Sequence, residues 1–239
     1  QKCSLAQAYD IAINDKGIRD LPAPTIRLSK EEILMARKMI AEVKEKTGKN
    51  KIVVVQPFGR GAQPENITEK QMKDGKQPDI TDVTGRSIEL KNIWSIVKKL
   101  SKKYGVMMMS EFPLEFKHHM SAPVATPMNV HIRIWMAVIK QANHFVGCDS
   151  VGQHLAYAFN GTATVLIGST YPINTSFPDS DNFDIIDLGS EDRVYSPIRI
   201  TSDELSDRLN EGIMAMDDRA EDDVIRSVEK MLKHSKNKQ

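Results

Sequence analysis

The sequence predicts an α/β protein in which a parallel sheet carries helices on both faces. Three apolar runs support this prediction. Lys51 to Gln56 has the sequence K-I-V-V-V-Q, a continuous β-branched run that is typical of a buried central strand in a parallel sheet. Phe145 to Gly147 and Ala163 to Ile167 are two further short apolar runs bounded by turn residues, with a helical pattern between them.

Two helices are predicted before the first strand. Residues 1–21 place apolar side chains at helical spacing, and the stiff connector Pro22-Ala23-Pro24 follows. Ser29 and Glu32 form a capping-box signature, which predicts a second helix to about Lys46. The apolar positions of the first helix are Leu5, Ala8, Tyr9, Ala12 and Ile13.

The loop after the first strand is a candidate for ligand binding. It has the sequence P-F-G-R-G and contains Gly59 and Arg60. Glycines let a ligand approach the backbone closely, and an arginine at a strand end suits a diphosphate. A plain turn is the alternative, and turn statistics alone favour it. We interpret the long polar segment from Ala62 to Gly85 as an elaboration over the same site.

The stretch from His144 to Pro178 delivers two more loops to one edge of the sheet. Asp149 or Ser150 can cap the helix that follows the strand at Phe145, and Asn160-Gly161 ends that helix. The strand at Ala163 ends in Gly168-Ser169-Thr170. Open α/β sheets bind ligands in such a crevice, and a helix N-terminus suits a phosphate. An ordinary strand–helix–strand unit without a ligand is the alternative on spacing alone.

The remaining elements follow from the same periodicities. The final amphipathic helix carries an apolar stripe that either packs on its own domain or docks on a partner. These elements are a helix from Ile88 to Tyr104, a strand from Gly105 to Met109, a helix from Asn129 to Asn143, a strand from Phe183 to Leu188, a turn at Tyr195-Ser196-Pro197, a helix from Thr201 to about Met214, and the final helix from Glu221 to Leu232.

Composition excludes several classes of protein. The 33 Lys and Arg residues almost balance the 32 Asp and Glu residues, so any affinity for phosphate has to be local. Cys3 and Cys148 give neither a disulfide framework nor a metal spacing, which favours a reducing, cytoplasmic location. His118-His119 does not complete a metal-binding pattern. No apolar run is long enough for a membrane span, and no signal-peptide pattern opens the chain.

One family pattern resembles the central stretch. Asp149 begins the motif D-S-x-G-Q-H-L-A, and A-T-V-L-I-G-S-T-x-P follows as far as Pro172. This resembles the C-terminal, donor-binding half of GT-B glycosyltransferases of the heptosyltransferase-like family (family nine), whose pattern is roughly D-S-G-P-x-H-L-A and then G-x-T-x-P. The likeness is close from Val146 to Pro172 and loose from about Pro24 to Leu232. It departs at Val151 and Gly152, where the family has Gly-Pro more often.

The resemblance implies a fold, an activity and a domain division. It implies a Rossmann-like sheet that is half of a GT-B architecture, and transfer of a sugar from a nucleotide diphosphate sugar to an acceptor hydroxyl without a metal or other cofactor. A non-catalytic nucleotide-binding module is the alternative. Residues 1–24 would be a helix and interdomain linker, 25–216 the donor-binding domain, and 217–239 a C-terminal helix and basic tail. An acceptor-binding domain or chain is the implied partner, and the acceptor is a glycolipid core or a hydroxylated nucleic-acid base.

The resemblance also implies roles for particular residues. Arg86 fits the place of a basic phosphate ligand, with a solvated surface arginine as the alternative. His154 matches a family histidine, although a lone helix histidine is more often a packing residue. No residue matches the family's acidic general base, which we expect outside this chain. The predicted donor or phosphate ligands are Gly59, Arg60, Arg86, Ser150, Gly152, Gln153, His154, Ser169 and Thr170, and the predicted nucleoside contacts are Val130, His131, Ile132 and Asp149.

Overall fold

The computed structural model describes residues 3–64, 80–82, 84–114, 116, 120–194, 210 and 212–234. The helices are α1 (Leu5–Asn14), α2 (Lys30–Thr47), α3 (Leu90–Ser101), α4 (Ile132–Gln141), α5 (Val151–Ala158), α6 (Pro172–Thr175) and α7 (Asp218–His234). The strands are β1 (Ile52–Gln56), β2 (Ala62–Pro64), β3 (Ile80–Asp82), β4 (Gly105–Met108), β5 (Val124–Ala125), β6 (His144–Cys148), β7 (Ala163–Ile167) and β8 (Phe183–Asp187).

The main sheet has six strands in the order β5-β4-β1-β6-β7-β8, and all its neighbours pair in parallel. Counted along the chain, this is the order 3-2-1-4-5-6 of a Rossmann-like fold. The chain adds strands on one side of β1, then crosses over and adds β6, β7 and β8 on the other side. The prediction of an α/β fold with a parallel sheet is therefore confirmed. The switch point, where such folds bind ligands, lies between the carboxyl ends of β1 and β6.

Helices cover both faces of the sheet, as predicted. Successive side chains of a strand point to opposite faces, so β1 divides its apolar residues between two cores. Ile52 and Val54 face the core that contains α2, α4 and α5. Val53 and Val55 face the core that contains α3 and α7. The apolar stripe of α7 belongs to this second core, since Val224 is fully buried, so the alternative of a docking stripe is wrong.

A polar contact fixes α7 against α3. Glu221 is 4% exposed, and its carboxylate accepts hydrogen bonds from Asn92 at 2.8 Å and from the Ser95 hydroxyl. The Lys99 ammonium also donates to it at 3.1 Å. Burial raises the pKa of Glu221, but these three donors outweigh that effect and hold it below its usual range. The last helix is thus attached to the sheet by both apolar packing and a satisfied buried carboxylate.

Several boundaries differ from those predicted. Asn129 does not begin α4: it has a φ of 56°, and His131 is the N-cap, whose Nδ1 accepts from the Arg133 N–H at 3.2 Å. The short edge strand β5 and the one-turn helix α6 were not predicted. Part of the polar segment after Ala62 is ordered as an antiparallel pair of β2 and β3. His118-His119, the turn at Tyr195 and most of the predicted helix from Thr201 lie outside the described residues.

Candidate functional site

An open cleft of about 2160 Å³ lies at the carboxyl ends of β1, β6 and β7. Loops after all three strands line it, together with α1 and the segment that leads to Pro24. The strand order places the loops after β1 and β6 at the switch point, so the cleft coincides with the expected binding crevice of this fold. Ten of the thirteen predicted site residues line the cleft: Gly59, Arg60, Arg86, Val130, Ile132, Asp149, Ser150, His154, Ser169 and Thr170.

The N-terminus of α5 is bonded to the end of β1. Gln56 Oε1 accepts a hydrogen bond from the Gly152 N–H at 2.8 Å, and Gln56 Nε2 donates to Ser150 Oγ at 3.1 Å. Ser150 occupies the N-cap position, but its side chain makes no capping bond. Ser150 is therefore confirmed as the N-cap residue by position, but a glutamine from a neighbouring strand supplies the capping hydrogen bond in place of its side chain. One of the orphan N–H groups of the first turn is thereby satisfied within the protein.

Asp149 links the loops after β6 and β7. Its carboxylate is 5% exposed and accepts from Gln153 Nε2 at 2.7 Å and from Thr170 Oγ1 at 2.8 Å. Gln153 is fully buried, and its amide also donates to the Thr175 carbonyl and accepts from the Ser176 hydroxyl. Both amide hydrogens of Gln153 and its oxygen are thus bonded to protein partners. It holds Asp149 in place from behind the cleft instead of lining it.

Asp82, the last residue of β3, organises the loop that carries Arg86. Its carboxylate accepts from the Thr84 N–H at 2.8 Å, the Ser87 N–H at 3.1 Å, and both hydroxyls of these residues. Ser87 Oγ in turn accepts from the Gly59 N–H at 2.9 Å. Arg86 Nε donates to Thr84 Oγ1 at 3.2 Å, which fixes the half-buried arginine at the wall of the cleft.

Ser169 closes a circuit of contacts around the cleft. Its hydroxyl donates to the Thr84 carbonyl at 2.6 Å, and its N–H donates to the Gly85 carbonyl at 3.2 Å. Gly85 has a φ of +62°, a left-handed conformation that favours glycine. The neighbouring Thr170 reaches Asp149, and Gln56 connects the loop after β6 back to β1. The loops after β1, β3, β6 and β7 are therefore joined to one another by hydrogen bonds in the absence of a ligand.

His154 lines the cleft beside an aromatic group. Its ring meets Phe177 edge to face at 5.6 Å, and Phe177 stacks on Tyr157 at 3.7 Å. The residue keeps exposed surface, but the surrounding walls displace enough water to lower the pKa of its imidazole. The Asp149 carboxylate partly opposes that shift. His154 is therefore a neutral hydrogen-bonding group at pH 7.

The predicted nucleoside contacts are divided by the structure. Val130 and Ile132 line the cleft, and Ile132 keeps 38% of its surface exposed. His131 is not among the lining residues, and its ring is used in capping α4. Gly152, which was predicted as a phosphate ligand, does not line the cleft either: the ring of Phe145 and the amide of Gln56 enclose it, and its N–H donates to Gln56. The cleft thus offers an apolar end near α4 and a polar end near Arg86.

Three residues of the site were missed from the sequence: Gln56, Asp82 and Ser87. Gln56 carried a signal in the sequence, since it is the one polar residue of the otherwise aliphatic β1. In the structure it is only 7% exposed. Asp82 and Ser87 lie in a polar segment where similar residues are common, and nothing in the local pattern separates them from loop residues. Across the described ranges, no group of three His, Cys, Asp or Glu side chains is arranged to hold a metal ion.

Sequence comparisons find no relatives: no model of a known protein family matches the chain, and neither does any curated protein. Solved structures do match. A glycosyl transferase of family 9 from Veillonella parvula DSM 2008 aligns with 98% of this chain at a TM-score of 0.63 and 11% identity. The ADP-heptose lps heptosyltransferase II of E. coli aligns with 92% of it at a TM-score of 0.57 and 14% identity.

The chain shares the fold of these glycosyltransferases. It spans 61% of the length of the first protein and 58% of the second, so each of them has a large part with no counterpart here. At 11% and 14% identity the likeness establishes the fold and not the activity. Within the part of the chain that the structure describes, no helix is long and apolar enough to cross a membrane.

Proposed function

We propose that this chain is the donor-binding part of a glycosyltransferase that takes a sugar from a nucleotide diphosphate sugar. The observation that carries the proposal is the circuit of four hydrogen-bonded loops around the switch point. It brings Arg86, Ser150 and Thr170 to one cleft, although they are distant in sequence. The shared fold with two glycosyltransferase structures supports the same assignment.

The diphosphate would lie at the arginine end of the cleft. Arg60 is exposed there, and Arg86 uses its Nε on Thr84, which leaves the two terminal nitrogens of its guanidinium without a hydrogen-bond partner among the described residues. Guanidinium groups pair with phosphate oxygens through two parallel hydrogen bonds. As the sugar–phosphate bond breaks, the leaving phosphate gains charge, and fixed donors such as these stabilise that charge without a metal.

The rest of the donor would extend from this point in two directions. The nucleoside fits the apolar end of the cleft near Val130 and Ile132. His154 lies near the other loops and offers a neutral hydrogen-bonding group to phosphate or sugar hydroxyls. The Thr170 hydroxyl donates to Asp149, so it can only accept a hydrogen bond from a sugar hydroxyl. The buried carboxylate of Asp149 would repel a phosphate. It is better suited to accept a hydrogen bond from a hydroxyl of the nucleotide sugar.

A binding module without transfer activity is the second candidate. It is favoured by the state of Asp149, whose two carboxylate oxygens each accept a hydrogen bond from the protein. A general base has to reach the acceptor hydroxyl directly or through one water. The Asp149 carboxylate is only 5% exposed, and the ligand contact proposed for it above is with a hydroxyl of the nucleotide sugar and not of the acceptor. On the transferase proposal, a further domain or chain binds the acceptor, which is a glycolipid core or a hydroxylated nucleic-acid base.

Calorimetric titration tests the proposal. UDP, ADP and GDP are titrated separately into the protein, with the matching nucleosides and inorganic pyrophosphate in parallel. We expect one nucleoside diphosphate to bind more tightly than either its nucleoside or pyrophosphate, because the cleft has an apolar and a cationic end. Absence of binding by all three diphosphates at millimolar concentration would contradict both the transferase and the binding-module proposals.

A further inference from the structure

We infer that Gln56 is a positioning residue that directs the hydroxyl of Ser150 into the cleft. This inference rests on the proposed function, because it assigns a role within the same diphosphate site. Gln56 is the last residue of β1 and Ser150 is the first residue before α5, so the contact between them spans the switch point. The role differs from that of a ligand-binding residue, since Gln56 acts through Ser150.

The orientation of the Gln56 amide is set by its partners. Its Oε1 lies 2.8 Å from the Gly152 nitrogen, which can only donate, so the oxygen has to face Gly152. The Nε2 group is therefore the one that faces Ser150 Oγ at 3.1 Å. A flipped amide would place two N–H groups against each other. The contact thus has one direction, with Gln56 donating and Ser150 accepting.

Packing prevents the amide from moving aside. A β-carbon at Gly152 would lie 2.5 Å from Gln56 Oε1 and would also collide with the ring of Phe145. Gln56 itself is 7% exposed. The side chain therefore occupies a space that is closed on the α5 side by the Gly152 backbone, and its two hydrogen bonds have fixed directions.

The hydrogen bond from Gln56 restricts the direction in which the hydroxyl of Ser150 can donate. A serine hydroxyl has one hydrogen to donate and lone pairs to accept. Because Gln56 donates to Ser150 Oγ, the hydroxyl hydrogen has to point elsewhere. Among the described residues this hydrogen has no acceptor, since Ser150 Oγ only accepts from Gln56, and the residue is half-buried in the lining of the cleft. The hydroxyl is thereby held as a donor for an oxygen atom in the cleft, which is the role that a phosphate requires.

The test is a double-mutant cycle measured by the binding of inorganic pyrophosphate. Gln56→Met removes both polar atoms at nearly constant size, and Ser150→Ala removes the hydroxyl. We expect each single change to weaken binding by about tenfold, the effect of losing one hydrogen bond to a charged group. Adding Gln56→Met to Ser150→Ala is expected to have almost no further effect, because the hydroxyl that Gln56 orients is then absent.

The control and the contrary outcomes separate this inference from its rivals. Gln141→Met removes a half-buried glutamine amide on α4, far from the cleft, and should leave binding unchanged. Equal losses from Gln56→Met in both backgrounds would show that Gln56 contacts the ligand or supports the fold. Tighter binding by Gln56→Met would show that Gln56 competes with the anion for Gly152. Either result overturns the inference.

A second variant keeps the test decisive if Gln56→Met does not fold. Gln56→Glu keeps an oxygen that accepts from the Gly152 N–H. Its second carboxylate oxygen can only accept, so the Ser150 hydroxyl would donate to it and no longer to the ligand. We expect a loss of pyrophosphate binding that becomes smaller in the Ser150→Ala background, and a loss of the same size in both backgrounds would overturn the inference. If the wild-type protein binds neither pyrophosphate nor any nucleoside diphosphate, the proposed function fails first.

Discussion

The hydroxyl of Ser169 donates to the carbonyl oxygen of Thr84 at 2.6 Å, which ties the loop after β7 to the loop that carries Arg86. These two residues are 85 positions apart in the chain. The contact explains why a cleft lined by surface loops has a defined shape without a ligand. Loops that are already bonded to one another lose less conformational freedom on binding, so more of the interaction energy is available for the ligand.

Arg86→Ala is expected to weaken the binding of a nucleoside diphosphate by roughly tenfold or more and to leave nucleoside binding nearly unchanged. The reason is that guanidinium pairs with phosphate and not with a base or ribose. Calorimetry with both ligands measures the difference. Arg37→Ala, at an exposed arginine of α2, is the matched control and should change neither affinity. Equal losses for both ligands would indicate that Arg86 supports the fold.

Gly152→Ala is expected to lower the free energy of unfolding by about 1–3 kcal/mol, because the added methyl group overpacks a closed site. Its β-carbon would meet the Gln56 amide and the Phe145 ring. Denaturant unfolding measures this loss. Gly161→Ala is the control, since a β-carbon there has its nearest neighbour at 3.4 Å, an ordinary contact. A Gly152→Ala protein as stable as the control would contradict the described packing.

We expect the protein to become less stable as the pH is lowered, because the folded state excludes a proton from His144. Burial lowers the pKa of this histidine to about 3 from the ordinary value of 6.5, and its ring nitrogens lie against Thr162 and Thr164. Between these pH values the unfolded chain binds a proton that the folded protein excludes. The unfolding free energy therefore decreases as the pH falls from 6.5 towards 3, by up to about 1.4 kcal/mol per pH unit.

Unfolding curves at several pH values test this dependence against a His144→Gln variant. Carboxylates such as Glu221, whose pKa is lowered, also cost stability in acid, but mainly below the ordinary carboxylate range. Between pH 6.5 and 5 the histidines with a lowered pKa dominate, and His144 contributes more than the more exposed His154. We expect the variant to lose most of the pH dependence in that interval. An unchanged slope in the variant would assign the effect to other groups.

Glu221→Gln is expected to destabilise the protein by about 1–3 kcal/mol, because it weakens the buried contact that holds α7 on α3. Asp222→Asn is the matched control: it removes the other, largely exposed partner of the same lysine, Lys99. Exposed ion pairs contribute little, so this change should cost less than 1 kcal/mol. The unfolding free energies of the two variants decide the point, and equal values would contradict the role assigned to Glu221.

The isolated chain is expected to bind a nucleotide sugar without transferring the sugar. The solved glycosyltransferases that share its fold are considerably longer, and the cleft's buried carboxylate is occupied by protein donors. The assay follows nucleotide release from several donors, with and without acceptor hydroxyls. Release that depends on an acceptor, with no other protein present, would contradict this prediction and favour a complete enzyme.

Much of the secondary structure could be predicted from the sequence because its signals are local. Ser29 and Glu32 do form a capping box at the start of α2, and the β-branched run from Lys51 contains the central strand β1. The three strand-end loops with their glycines and hydroxyls were predicted as the site, and all three line one cleft. The predicted start of α4 was wrong: its N-cap is His131 and not Asn129, because capping depends on the backbone conformation, which the residue type alone does not determine.

The sequence by itself determined five of the six strands of the main sheet, most of the helices and the residue types at the strand ends, because each of these follows from the spacing of neighbouring residues. Only the tertiary structure decided which of those residues are free to meet a ligand. Gln153 was predicted as a ligand, but its amide is bonded to Asp149 and Ser176. Gln56 was not predicted, but it contacts Ser150, which is 94 positions away in the chain. Hydrogen bonds between residues so far apart in the chain depend on the strand order, and the strand order arises only when the apolar faces of sheet and helices pack together.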